Sequence, residues 1–137
     1  MAIKHKYTLI CDDVRREDNG KLIIIGVYQK VIALPQIPFI LPSLTFFQVL
    51  ESDRPGMWSV KIRIQHLESG KNLIDGAGQI GFQQVGEGIN SLRFGNVSLV
   101  APGSYNFVME IEKQENDPIV VPFEVALNIP QPIQPYR

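Results

Sequence analysis

The sequence predicts an all-β fold, an immunoglobulin-like or Greek-key β-sandwich of about eight or nine antiparallel strands. Short apolar runs separated by turn residues recur along the whole chain. Two of these runs, 57–66 and 119–127, alternate apolar residues with other residues, which is typical of strands with one buried face. No segment of ten or more residues has the 3.6-residue apolar period of a helix. Together these three observations favour a sandwich over any mixed fold.

The length and the composition predict one globular domain. The chain has 137 residues, of which 45% are hydrophobic and 20% are charged, so it can bury a self-sufficient core. We assign residues 1–129 to this domain and residues 130–137 to a proline-rich tail, for which we expect an extended conformation. The net charge of −1 provides no field that would attract nucleic acid or an anionic membrane, so neither partner is expected.

The single cysteine predicts a reducing, cytoplasmic location, because one thiol forms neither an intramolecular disulfide nor a cysteine metal cage. No signal-peptide core follows the first six residues, and no run approaches the roughly 18 apolar residues of a membrane-spanning helix.

The first hairpin is predicted around Asn19-Gly20, a dipeptide that is typical of a tight type I′ turn. The strand before it contains 7–11, where Cys11 is expected to be a small core hydrophobe. Residues 12–18 carry six charges of both signs and are interpreted as a solvated edge or loop. A calcium site on their carboxylates is the alternative, but the EF-hand spacing is absent.

The strand after this turn is apolar on both of its faces. Leu22 and Ile24 point one way, while Ile23, Ile25 and Val27 point the other. A strand with one wet face alternates apolar and polar residues, so we expect something to cover the second face. Residues 44–50 are doubly apolar in the same way.

Motifs in this hairpin and in a later segment resemble those of a known family. Residues 13–22 read D-V-R-R-E-D-N-G-K-L, residues 25–28 read I-G-V-Y, and residues 101–107 read A-P-G-S-Y-N-F. These motifs resemble those of a family of small uncharacterised bacterial proteins, over the chain up to about Asn128. The resemblance implies a bacterial or phage-like origin and a β-sandwich, and it implies no activity.

Residues 31–42 are very apolar, but three prolines exclude a helix and weaken a central strand. We expect an extended crossover, which is either a lid over the outer face of the 22–28 strand or an exposed surface for a partner. The predicted partner surface consists of Leu34, Ile37, Phe39, Ile40 and Leu41.

Two side chains of the 57–66 strand are candidates for function. His66 lies near the strand end, on the side of the strand that the alternation predicts to be buried. It is expected to be hydrogen-bonded at the rim of the core. Trp58 is expected to anchor the core, and a carbohydrate-stacking platform is the alternative.

Residues 72–100 contain a G-x-G-x-x-G match at 76–81, but no helix is predicted after it, so nucleotide binding is not expected. Leu73-Ile74 is predicted to begin a short strand that turns back at Asp75-Gly76. A glycine-rich strand with Ile80 and Phe82 inward follows. Within 89–100 the apolar phase slips at Gly95-Asn96, which predicts a bulge or bend.

The closing hairpin spans 104–127. Tyr105 follows a Pro-Gly turn, in the pattern of immunoglobulin-like sandwiches whose tyrosine packs inward and hydrogen-bonds upstream backbone. Pro122 marks an edge position or a bulge. In the tail, the P-x-x-P match is interpreted as an extended terminus rather than a ligand for SH3-type domains.

These patterns predict a non-catalytic protein-binding or assembly module whose partner is a second copy or another protein. A structural component of a phage or contractile-type particle and a carbohydrate-binding module are the alternatives. Catalysis is not expected, because Cys11 and His66 both lie on apolar phases and no carboxylate pair is set apart. No cofactor and no metal are expected, since the two histidines lack metal-ligand spacing.

Overall fold

The computed structural model describes residues 2–114 and 117–128, and within them the chain is a sandwich of two packed β-sheets. The described residues form nine strands, in agreement with the predicted number. Their bounds are β1 Ile3–Arg16, β2 Leu22–Tyr28, β3 Val31–Leu34, β4 Phe39–Ser52, β5 Gly56–His66, β6 Asn72–Phe82, β7 Gly86–Leu99, β8 Gly103–Ile111 and β9 Ile119–Leu127.

The first sheet has the strand order β2-β1-β4-β7, and the second has the order β3-β9-β8-β5-β6. All neighbouring strands are antiparallel except β3 and β9, which run parallel. The parallel pair follows from the crossover between β2 and β4, because the chain lays β3 along the edge of the second sheet before it enters the first. We call the two sheets sheet I and sheet II.

The core lies between the sheets and is centred on aromatic rings. Phe46 of β4 stacks on Phe107 of β8, with 4.2 Å between the ring centroids. Tyr105 and Phe123 stack beside them, and Phe94 meets Phe46 edge to face. Because Phe46 comes from sheet I and Phe107 from sheet II, this stack joins the two layers.

The predicted role of Tyr105 is confirmed. Its ring is fully buried, and its hydroxyl donates a hydrogen bond of 2.5 Å to the carbonyl of Ala101 upstream. Burial raises the pKa of Tyr105 above its ordinary value. The tyrosine therefore fixes the turn that leads from β7 into β8.

Prolines lie inside two strands, and each is located where one side of its strand is unpaired. Pro42 precedes the part of β4 that pairs with β1, because that pairing begins at Thr45. Pro122 lies on β9 just before the pairing with β3, which begins at Glu124. Pro122 was predicted at an edge position or a bulge, and it lies where β9 has a neighbouring strand on one side only. Residues 39–42 were expected to belong to an extended crossover, but they are part of β4.

Three further predictions are corrected or confirmed by the backbone. The charged stretch 12–18 is not a loop throughout, since β1 continues to Arg16 and its pairing with β2 begins at Leu22. The expected turn at Asp75-Gly76 is absent, because β5 pairs with β6 along its whole length. The predicted slip in β7 is confirmed by Asn96, whose φ of 52° breaks the strand geometry.

Candidate binding face

The outward side of sheet I is apolar. Side chains on a strand alternate between faces, so residues next to inward-facing Phe46 and Ile10 point outward. Register then places Leu9 beside Phe47 and Tyr7 beside Val49 on that outward side. We call this surface the outer apolar face. It consists of Tyr7, Leu9, Ile23, Ile25, Val27, Phe47, Val49 and Ile89.

The outward side of sheet II is different, although its inward side is equally apolar. Lys61, Arg63 and Gln65 alternate along β5, and Glu110 of β8 makes an ion pair of 3.1 Å with Arg63. Glu124 lies outward on β9. Sheet II therefore has the one wet face that is usual for an antiparallel sheet, and sheet I does not.

The middle of the outer apolar face is closely packed, and its margins are open. Phe47 and Val49 are only 5% and 8% exposed. The marginal side chains are 43–55% exposed, and they are Tyr7, Ile23, Ile25, Val27 and Ile89. An open hollow of about 990 Å³ lies on this face, lined in part by Tyr7, Phe47, Val49 and Ile89 and also by Arg16 from the far end of β1. Apolar area gathered on one side of a molecule in this way is typical of an interaction surface.

Charged residues border this face at both ends of its strands. At one end Lys4 of β1 lies opposite Glu51 of β4, which lies opposite Glu87 of β7. Lys6 makes an ion pair of 3.3 Å with Glu51. This end therefore has its basic residues on β1 and its acidic residues on β4 and β7.

At the other end Asp13 is held between two arginines. Arg15 Nε lies 2.8 Å and Arg93 Nε 3.7 Å from the Asp13 carboxylate. The hydrogen bond from Arg15, supported by one from the Val14 amide, keeps the pKa of Asp13 below its usual value. Among residues 2–114 and 117–128, no group of three or more His, Cys, Asp or Glu side chains could hold a metal ion.

The predicted partner surface is not a single patch in the structure. Leu34 and Leu41 are buried in the core, and Ile37 and Phe39 pack against it from partly buried positions. Only Ile40 of the five predicted residues is exposed, at 60%. The segment 31–42 is also not a lid over β2, because its first part pairs with β9 and its last part with β7.

The apolar outer side of β2, β1 and β4 was visible in the sequence as doubly apolar strands. The structure adds Ile89 of β7 and the charged borders, which no local pattern indicated. Cys11 is buried as predicted, but it lies on the outward side opposite Thr45 rather than in the core between the sheets. Burial raises the pKa of the Cys11 thiol, which makes it less reactive.

His66 joins two turns at the end of the sandwich. Its Nε2 lies 3.0 Å from both the Pro102 carbonyl and the Glu68 carboxylate, and its Nδ1 lies 2.7 Å from Ser69 Oγ. Both neighbours of Nε2 are acceptors, so Nε2 carries a hydrogen, and Nδ1 shares a hydrogen bond with the Ser69 hydroxyl. The predicted hydrogen-bonded histidine at the core rim is confirmed.

A row of polar side chains crosses the inward side of sheet I. Asn90 donates to Gln48 at 2.9 Å, and Gln48 donates to the Thr8 hydroxyl at 3.4 Å. That hydroxyl lies 2.7 Å from His5 Nε2. Because β1, β4 and β7 each contribute to it, the row holds these three strands in register.

The partly buried position of His5 makes the stability of the fold depend on its protonation. Burial lowers the pKa of His5 from 6.5, and a backbone hydrogen bond at Tyr7 opposes this only in part. Between the folded and unfolded pKa values the unfolded chain binds more protons, so stability is full above about pH 6.5 and falls as the pH falls below it. We expect a lower urea midpoint at about pH 5.5 than at about pH 7.5.

The control for this pH dependence is His5→Gln, which keeps a hydrogen-bonding side chain but cannot titrate. Its urea midpoint is expected to change less between the two pH values than that of the wild type. An equal change in both proteins would assign the pH dependence to other groups.

Two solved structures are similar to this chain. A β-glucosidase from Erythrobacter marinus aligns with 90% of this chain and 15% of its own length, at 10% identity and a TM-score of 0.52. This chain therefore spans about 15% of that enzyme, and the likeness shows the fold alone. A CARDB domain from Pyrococcus furiosus, solved in complex with di-metal ions, aligns with 89% of this chain and 94% of its own, at 8% identity and a TM-score of 0.48.

Comparisons at the level of sequence give one match. The model of a family of unknown function, DUF6941, matches residues 6–126. No curated protein matches the chain. In the described residues, no helix has the length and apolar character needed to cross a membrane.

Proposed function

We propose that this chain, which belongs to the family of unknown function DUF6941, is a non-catalytic protein-binding or assembly module. The observation that carries this proposal is the outer apolar face. Its exposed margins belong to three strands of sheet I and form one surface with charged ends. An apolar patch with a polar rim is the usual anatomy of a protein–protein interface.

The chemistry of the titratable side chains supports a role without catalysis. The Cys11 thiol is fully buried and has a raised pKa. The His66–Ser69 hydrogen bond resembles the base and nucleophile of acyl-transfer enzymes, but both residues belong to the end of one strand and its following turn. Both nitrogens of His66 are engaged in holding that turn against Pro102. We therefore assign the cluster to structure.

Carbohydrate binding gains little support from the aromatic side chains. Such a site needs exposed rings in one plane, whereas Tyr105 and Phe107 have no exposed surface. Trp58 is partly buried and meets Phe82 edge to face. A structural role in a phage-like particle is a narrower form of the binding proposal, because particle subunits also associate through such faces. A cytoplasmic location is part of the proposal, supported by the single buried thiol.

A matched pair of substitutions tests the binding proposal. Val27 on the outer apolar face is 49% exposed, and Val120 on the outward side of sheet II is 48% exposed. We expect Val27→Lys to reduce binding of the partner at least tenfold, because a charge at an apolar contact must be desolvated. We expect Val120→Lys to bind as the wild type does.

The measurement is an affinity capture of the tagged protein from lysate of its source organism, followed by titration of the identified partner against each variant. Thermal melts of both variants establish that each is folded. Equal binding by the two variants would exclude the outer apolar face as the binding surface.

A further inference from the structure

We propose that the occupant of the outer apolar face is a second copy of this chain, packed face to face about a two-fold axis. This inference rests on the proposed function and names its partner. The axis runs parallel to the strands of sheet I, between β1 and β4. It places β1 of one copy over β4 of the other, and β2 over β7. Aligned packing of this kind is common between β-sheets.

The charges at one end of the face are complementary in this arrangement. Lys4 and Glu51 are register partners on the two strands that flank the axis. The two-fold therefore brings Lys4 of each copy over Glu51 of the other, twice per dimer. Glu87 lies next to Glu51 on β7, within the reach of the long Lys6 side chain of the second copy. Basic β1 thus meets an acidic pair of strands.

The other end is complementary as well. Asp13 on β1 lies at the level of Ser43 on β4, next to Arg93 on β7. Across the axis, Asp13 of one copy lies above Ser43 of the other and beside its Arg93. The arginine has donors left for this contact, since the guanidinium carries five N–H groups and the structure uses its Nε toward Ser43 and Asp13.

Shape agrees with charge along the edge strands. The axis places Ile25 on β2 of one copy opposite Gly95 on β7 of the other. A Cβ added at Gly95 meets nothing closer than the Pro42 carbonyl at 3.8 Å, so the position is an open notch on the face. The exposed Ile25 side chain of one copy fits above the missing side chain of the other.

The area of the face suits a dimer of moderate strength. The four strands of sheet I measure roughly 19 Å across and about 30 Å along the three longer ones, or about 500 Å² in projection because β2 is shorter. A standard interface buries about 800 Å² per partner. We therefore expect dissociation in the micromolar range.

A two-fold axis that crosses the strands fits the face less well. Such an axis would place the β1 strands of the two copies over each other in opposite directions. Because β2 pairs with only part of the length of β1, it would then lie outside the area that the second copy covers. The three exposed apolar side chains of β2 would stay in water. The axis parallel to the strands covers them with β7.

The test uses two charge-reversal variants, Lys4→Glu and Glu51→Lys, in analytical ultracentrifugation over about 1–100 μM. Wild type is expected to approach twice the 15.4 kDa mass of the chain. Each variant alone places like charges together twice per dimer, so its self-association is expected to be about tenfold weaker or more. In a mixture of the two variants, positions 4 and 51 again face opposite charges across both contacts, so the mixture is expected to dimerise as the wild type does.

The mixing result separates a contact between copies from any effect inside one copy, because each chain in the mixture still carries its own substitution. A wild type that stays monomeric at about 100 μM would overturn the inference. It would leave the binding proposal standing if Val27→Lys still abolishes capture of another protein. A mixture as weak as the separate variants would overturn the proposed orientation.

A second test fills the notch. Gly95→Leu is expected to weaken self-association at least tenfold, because the new side chain occupies the place of Ile25 of the second copy. Gly76→Leu is the matched control, since a Cβ there also meets open space but lies on β6 of sheet II. Equal self-association in both variants would overturn the contact between Ile25 and Gly95.

Discussion

Replacement of Phe46 by alanine is expected to lower the free energy of unfolding by about 3–5 kcal/mol. The ring is fully buried between the sheets, stacked on Phe107 and in edge contact with Phe94. Removing it takes away the central link between the two layers and leaves a cavity that rigid strands fill poorly. Urea denaturation monitored by Trp58 fluorescence measures this loss.

The control is Ile40→Ala on the same strand. Ile40 is largely exposed, so its truncation is expected to cost less than about 0.5 kcal/mol. A cost for Phe46→Ala of the same size as the control would contradict the assignment of Phe46 to the core.

Gly26→Ala is expected to have the second large effect, about 2–4 kcal/mol of lost stability. Gly26 has a φ of 67°, a conformation that residues with a Cβ adopt at a cost. Its added Cβ would also overlap the Asp12 carboxylate, with Cγ only 2.9 Å away. That carboxylate accepts a hydrogen bond of 2.6 Å from the Tyr28 hydroxyl, which would have to break.

Burial and this same bond to Asp12 raise the pKa of Tyr28 well above its usual range, so the hydroxyl remains a donor at any ordinary pH. Two controls separate the causes of the expected loss. Gly20→Ala has a similar positive φ of 89° but meets nothing within 4 Å, so it reports backbone strain alone. In an Asp12→Ala background, Gly26→Ala is expected to cost no more than Gly20→Ala does.

An equal cost of Gly26→Ala with and without Asp12 would assign the whole effect to the backbone. Thermal melts of the four proteins complete this double-mutant cycle, in which the coupling between Gly26 and Asp12 is the quantity of interest.

Local patterns were sufficient for most of the strands. The alternation in 57–66 and 119–127 correctly predicted the strands β5 and β9 and most of their inward residues, because successive side chains of a strand point to opposite faces. The exception is Leu127 at the end of β9, which is exposed. The tyrosine after the Pro-Gly turn also behaved as its pattern indicated. Strand alternation and turn motifs depend only on a few neighbouring residues, so they predict the same local structure whatever the arrangement of the sheets.

Prediction failed where a residue's role depends on distant strands. The prolines of 31–42 were taken to weaken a central strand, yet β4 runs through Pro42 because β1 does not pair there. Leu34 and Leu41 were assigned to a partner surface, whereas β9 and β7 bring them into the core. In each case the sequence contained the apolar character but not the identity of the neighbouring strand.

The sequence by itself determined that this protein is a β-sandwich and that strands 22–28 and 44–50 have an apolar second face, since both follow from the order of residues along single strands. Only the tertiary structure decided which sheet contains that face, which residues border it, and that the segment 31–42 does not cover it. Pairing between strands far apart in sequence is set by register and sheet order, and these depend on the packing of the whole chain.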